Sequence, residues 1–151
     1  MIRPASDADA RAIAELEVRA WRWAYVDFVA EEDMPSVDER VSAWTGGGSG
    51  SGGVFVAEVE GRVVGVVRVG DDELQALYVE PAAQGAGLGT ALYDFAREQL
   101  VAAGYAEGVL WVFEGNGHAR GFYERRGWAA DGERREVAKA PEVRYRQNLS
   151  V

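Results

Sequence analysis

The 151-residue chain has no cysteine and a single histidine, His118. Without thiols there is no disulfide framework, no thiolate nucleophile and no cysteine-built zinc site. With one imidazole, a histidine-built metal centre and a Ser-His-Asp triad fall away as well. Much hydrolytic chemistry is excluded with them, and no metal is expected. No apolar run approaches the length needed to cross a bilayer. The opening Met1-Ile2-Arg3-Pro4-Ala5 lacks the basic-then-apolar order of a secretory leader, so a cytoplasmic location is expected. Positive charge is in deficit, with 16 Lys and Arg against 25 Asp and Glu and a net charge of −9. That balance argues against nucleic acid or an anionic membrane as the main partner, since both demand a positive surface. A cationic acceptor such as an amine is compatible with it.

What is present suits one globular domain over residues 1–151: 48% hydrophobic and 27% charged residues, in a chain too short for two ordinary domains. Ile13, Leu16, Ala20, Trp21, Ala24 and Phe28 recur at helical spacing and predict a helix from about Asp7 to Phe28, capped near Ser6. A shorter helix is expected from Ser36 to Trp44. The Gly/Ser-rich stretch Gly46 to Gly53 reads as a surface loop, because the chain before it cannot bury a core of its own. Beyond it the period becomes alternating. A hairpin is expected over Val54 to Val59 and Arg62 to Gly70, turning at Glu60-Gly61, and a third strand over Glu73 to Glu80, stopped by Pro81. A helix carrying Leu88, Leu92, Phe95, Ala96 and Leu100 on one face should close at Gly104. Gly108 to Phe113 reads as a buried strand parallel to the one before that helix. Asn116 can cap a last helix ending near Arg126, and strands fit Trp128 to Val137 and Glu142 to Leu149.

Between strand and helix lies Gln84-Gly85-Ala86-Gly87-Leu88-Gly89-Thr90. Unpaired backbone N–H groups and the positive end of a helix dipole converge at such a turn and favour an anion, although glycines can also serve tight packing alone. A nucleotide-binding Walker loop would need a lysine before Thr90, where Gly89 stands. A dinucleotide fingerprint starting at Gly85 would need its third glycine at position 90, where Thr stands.

What remains is Gln/Arg-x-x-Gly-x-Gly/Ala, filled by Gln84, Gly87 and Gly89, directly after Leu77-Tyr78-Val79 and Pro81. In this the chain resembles the GNAT family of N-acetyltransferases. The run Asn116-Gly117-His118-Ala119-Arg120-Gly121-Phe122-Tyr123-Glu124 to Gly127-Trp128 resembles that family's second conserved segment. The resemblance implies an α/β (α+β) fold: a mixed, mostly antiparallel sheet with a central parallel strand pair, flanked by about four helices. It implies acetyl-CoA (coenzyme A) as cofactor, with the pyrophosphate held by backbone amides from Gln84 through Gly85, Ala86, Gly87, Leu88 and Gly89 to Thr90. Leu77, Tyr78 and Val79 would meet the pantetheine arm and acetyl group at a strand bulge, with the Val79 N–H as oxyanion donor. Trp21 and Tyr25, with Trp23 and Phe28 nearby, would lie beside the acceptor pocket.

Amine acylation needs a neutral amine, a donor for the developing oxyanion and a proton for the departing thiolate. Asn116 and Tyr123 are seven residues apart and share a helix face, where both can meet the cofactor thiol. A tyrosine, with a pKa of about 10 against about 8.5 for a thiol, stays protonated at neutral pH and can act as general acid. Tyr123 is that candidate; its alternative role is a half-buried core aromatic, and that of Asn116 a plain helix cap. No motif identifies the general base. Glu114 and then Glu73 are the candidates, with Glu80 behind them, and each can equally be a solvated acid. His118 is expected to be exposed and without a catalytic role. The expected function is transfer of acetyl to a primary amine of a small molecule or peptide. A non-catalytic acyl-CoA-binding module, a different nucleophile or acyl group, and a homodimer remain open.

Overall fold

The computed structural model describes residues 1–45 and 53–149. In chain order its strands are β1 (Ile2–Pro4), β2 (Gly53–Val59), β3 (Arg62–Gly70), β4 (Glu73–Val79), β5 (Glu107–Phe113), β6 (Ala129–Val137) and β7 (Ala140–Asn148). Its α-helices are α1 (Ala10–Tyr25), α2 (Val37–Val41), α3 (Leu88–Ala102) and α4 (Gly117–Glu124). The seven strands form one sheet in the order β1-β2-β3-β4-β5-β7-β6. Every neighbouring pair is antiparallel except β4 and β5, as the α/β reading of the sequence expects.

The helices cover the two faces of this sheet, each through the side chains its periodicity supplies. On one face Leu92, Ala96 and Leu100 of α3 bury against Val67, Val69, Leu74, Leu110 and Val112. On the other, Ile13, Ala14 and Leu16 of α1 pack with Val54, Val56, Val66 and Trp44. Glu17 is buried on this second face but paired: Arg40 Nε donates to Oε1 at 2.7 Å and Trp44 Nε1 at 2.9 Å, satisfying a carboxylate that burial would otherwise penalise.

The boundaries differ from the sequence expectation in identifiable ways. The first helix opens as a 3-10 turn over Asp7–Asp9, where the Asp9 carboxylate accepts from the Ser6 N–H at 2.8 Å. It stops at Tyr25, because both Phe28 and Val29 N–H turn back to the Tyr25 carbonyl and fold the Phe28 ring against Phe113. The second helix is α2 followed by a 3-10 turn over Ser42–Trp44, with Ser36 Oγ accepting from the Glu39 N–H. Of the segment read as a loop, Gly53 already pairs with Val69 in the sheet, and residues 46–52 lie outside those described. The last two strands extend toward each other to a two-residue turn at Ala138-Lys139, both at positive φ.

Candidate active site

Strands β4 and β5 pair only at Glu73–Val109 and Leu74–Leu110. Beyond Leu74 both strands line a cavity of about 440 Å³, so the centre of the sheet opens into a fork. The break begins at a bulge. Leu74 is opposite Val69 and Ala76 opposite Arg68, which leaves Gln75 as the extra residue on β4. The family resemblance implies a bulge over Leu77 to Val79, but those residues are in regular register with Val67, Val66 and Gly65.

That register decides which backbone groups face the fork. The Glu80 N–H donates to the Val64 carbonyl at 2.8 Å, so Glu80 points its backbone at β3. Successive residues of an antiparallel strand alternate in direction. Tyr78 therefore spends its backbone groups on Val66, while the N–H groups of Leu77 and Val79 point away from β3, into the fork. The Val79 carbonyl on that side accepts from Gln84 Nε2 at 3.3 Å. The Tyr78 ring is partly buried on the α1 face, where its hydroxyl accepts from Trp21 Nε1 at 3.2 Å and loss of solvent around it pushes its pKa well up.

At the end of β4 a 3-10 turn over Pro81–Ala83 leads into the glycine turn. Gly85 and Gly87 have φ of +86° and +77°, which ordinary side chains resist, and a Cβ on either would project into open space. The first helical bond of α3 runs from the Ala91 N–H to the Gly87 carbonyl at 3.0 Å. The N–H groups of Leu88, Gly89 and Thr90 precede it and have no helical partner. Thr90 Oγ1 accepts from Arg126 Nη2 at 3.0 Å, which brings one cation to this helix end. Of the turn residues Gln84 lines the cavity, while Gly85, Ala86, Gly87, Leu88, Gly89 and Thr90 lie beyond its lining residues at the start of α3.

Helix α4 supplies the opposite wall. Asn116 caps it, its Oδ1 accepting from the Ala119 N–H at 3.2 Å, and the same residue lines the cavity. Tyr123, two turns on, lines it too and is packed among Tyr93, Phe122 and Trp128. Burial pushes the Tyr123 pKa upward, with the neighbouring Tyr93 adding to the shift, so its hydroxyl keeps its proton. His118 is exposed, as expected, and also borders the cavity.

On the α1 side stand Trp21, Trp23 and Tyr25. Trp21 is buried and Trp23 is 57% exposed, the division a helix imposes on residues two apart. Burial raises the pKa of Tyr25. The three carboxylates singled out from the sequence are not brought together at the cavity wall. Glu114 pairs with Arg134, Glu80 is bound by Arg19 at 2.6 Å, and Glu73 stands at the root of the fork. Burial lifts the pKa of Glu73, against the opposing pull of Arg135. Two charged residues that sequence reasoning passed over do line the cavity: Glu142 on β7 and Arg135 on β6, joined Oε1 to Nε at 2.7 Å. No local sequence signal marks them: the turn at Ala138-Lys139, which sets Arg135 opposite Glu142, is formed by residues that do not favour positive φ.

A narrow fork bearing unpaired N–H groups, with an amide-rich helix end beside it, fits an elongated ligand with a phosphorylated tail. The model of the acetyltransferase (GNAT) family matches residues 11–128, and the chain belongs to this family. It is 30% identical over 125 residues to the uncharacterized N-acetyltransferase YuaI of Bacillus subtilis (strain 168), covering 76% of this chain and 72% of that protein. Among solved structures it is similar to a GCN5-related N-acetyltransferase from Rhodopseudomonas palustris, with TM-score 0.82, 22% identity, and 98% of this chain and 94% of that one covered. It is also similar to the PaiA N-acetyltransferase from Thermoplasma acidophilum in complex with coenzyme A, with TM-score 0.74, 17% identity, and 95% and 96% covered. At these identities the solved structures speak to the fold, and the family match makes the protein an acyltransferase.

Proposed function

We propose that the protein transfers the acetyl group of acetyl-CoA to a primary amine of a small molecule or peptide by direct attack, with Tyr123 as general acid. The observation that supports this reading is the fork: β4 and β5 pair only as far as Leu74, and Val79, Asn116 and Tyr123 all line the cavity there. Bound acetyl-CoA supplies an acetyl thioester, whose C–S bond breaks as a C–N bond to the amine forms. The amides of Leu88, Gly89 and Thr90 would hold the pyrophosphate, and the fork-facing N–H of Leu77 would pair with the pantetheine arm. The Val79 N–H would stabilise the developing oxyanion. Tyr123 would give its phenolic proton to the departing sulfur and recover one from water. Of the carboxylates expected as base, Glu73 at the root of the fork is the better supported. It is not on the cavity wall, so it would take up the proton the amine loses through water, with its burial-raised pKa favouring uptake, whereas Glu114 is tied to Arg134.

A relative of the same fold was solved with coenzyme A, which supports the donor assignment. Among the described residues no helix is long and apolar enough to cross a membrane, and a cytoplasmic site of action fits that and the absence of cysteine. Calorimetry with acetyl-CoA and a thiol-release assay over a panel of amines test the proposal. Binding with amine-dependent thiol release is expected. Binding without release from any amine would replace it with a non-catalytic acyl-CoA-binding module, and no binding would end both readings.

A further inference from the structure

The cavity wall carries a cation in a protein of net charge −9. Arg135 sits on edge strand β6, directly opposite Glu142 of β7. Glu142 is 8% exposed and takes the Arg135 Nε–H, so its charge is matched where solvent could not match it. The Arg135 guanidinium also lies over the Trp111 ring, 4.3 Å from its centroid, and Trp111 is itself part of the cavity wall. Two constraints thus orient the head group: one hydrogen bond at Nε and one aromatic face. Among the described residues neither Nη1 nor Nη2 has a hydrogen-bond partner. A planar fork held this way matches a carboxylate with two parallel N–H···O bonds.

We propose that the acceptor is a small zwitterionic amine, a free amino acid or an analogue with a similar oxyacid group close to its amine, and that Arg135 binds its carboxylate. The proposal rests on the acetyl-transfer reading and narrows it, since a peptide N-terminus has no carboxylate within a few bonds of its amine. The other charges facing Arg135 agree with a zwitterion. Glu142 at Nε and Glu73 within electrostatic reach favour an ammonium group beside the guanidinium, and His118 is the remaining titratable side chain besides tyrosines on the cavity wall. Trp21, Trp23 and Tyr25 offer an apolar wall for the acceptor's side chain. The Arg135 side chain is 46% exposed, so water serves its two Nη groups until a carboxylate takes its place.

The test compares matched acceptors: methionine with methioninamide, phenylalanine with phenylalaninamide, and a tripeptide with a free N-terminus. Thiol release is followed with acetyl-CoA, and calorimetry follows the same acceptors on coenzyme A-saturated protein. The free acids should be preferred by on the order of tenfold or more in kcat/KM and in affinity, the usual return from a charge-assisted bidentate contact. Arg135→Gln should bring each ratio close to one, chiefly through KM, and Arg135→Lys should restore part of it. A purely structural role for the Arg135–Glu142 pair would lower stability without changing the ratio, and that result overturns the proposal. So does equal use of amides or tripeptide, or the absence of binding heat from every free acid. Failure to bind acetyl-CoA would sink the acetyl-transfer reading itself, whereas acetyl-CoA binding with a preference for neutral amines removes only the zwitterionic acceptor.

Discussion

Tyr145, wholly inside the core on β7, donates its hydroxyl proton to Glu124 of α4 and accepts from Arg120 Nε at 2.9 Å. Arg120 continues the chain to the Glu114 carbonyl at 3.0 Å. The helix that carries Tyr123 is thereby tied to the sheet at both its middle and its end. Tyr145→Phe removes both bonds. It should cost about 1–2 kcal/mol, because Arg120 and Glu124 can recover part of their bonding from water. Urea denaturation should show a lower midpoint at an unchanged slope.

Tyr123→Phe keeps the ring packing and deletes only the hydroxyl. If that hydroxyl protonates the leaving thiolate, turnover should fall by roughly 10²–10⁴-fold while acetyl-CoA affinity stays within a few-fold. Rates and calorimetry on the same preparation separate the two effects, and an undiminished rate would remove the acid role.

Glu73 gives the activity a pH signature. Burial disfavours its charged form, so it gains a proton at a higher pH than an ordinary carboxylate. Acting as base, it must be ionised. The acid limb of the kcat/KM profile should therefore lie above the usual carboxylate range, with activity rising as pH increases through it. Glu73→Gln should lower the plateau and abolish that limb; a profile identical to wild type would exclude the residue.

Stability toward acid should depend on Asp9. The Arg3 guanidinium, bonded to both its oxygens at 2.9 Å, holds its carboxyl at about 2, down from 3.8. A folded pKa below the unfolded one means that the unfolded chain binds the proton first. The contribution is complete above about pH 3.8 and drains away as pH falls toward 2. Urea midpoints measured between pH 5 and 2 should fall less steeply in Asp9→Asn, which starts lower and has no such carboxyl to titrate.

How far these features were legible before the structure depended on the scale of the force that sets them. The face of α1 could be read because Ile13, Ala14 and Leu16 are inside and their spacing repeats with the helix. The glycine turn could be read because backbone at positive φ favours glycine at Gly85 and Gly87. The turn at Ala138-Lys139 could not. Neither residue advertises positive φ, and Pro141 just beyond is tolerated because its carbonyl accepts from the Glu114 N–H while the Glu114 carbonyl, which Pro141 has no N–H to serve, accepts from Arg120 Nη1. Missing that turn hid the Arg135–Glu142 pairing, and with it the charged corner of the cavity. The position of the bulge was likewise out of reach. Gln75 is expelled by the mismatch between two pairings, with β3 and with β5, and no local pattern records it.

The fork also makes the sheet mechanically unfinished. Four strands on one side and three on the other are joined across the middle by two residue pairs. A ligand whose amides bond to both prongs acts as a splint, stitching two half-sheets into one continuous plate. Amide hydrogen exchange along Leu77, Val79 and Trp111 should slow together when coenzyme A is added, more than the direct contacts alone would require. The donor would then be part of the protein's stiffness as well as of its chemistry.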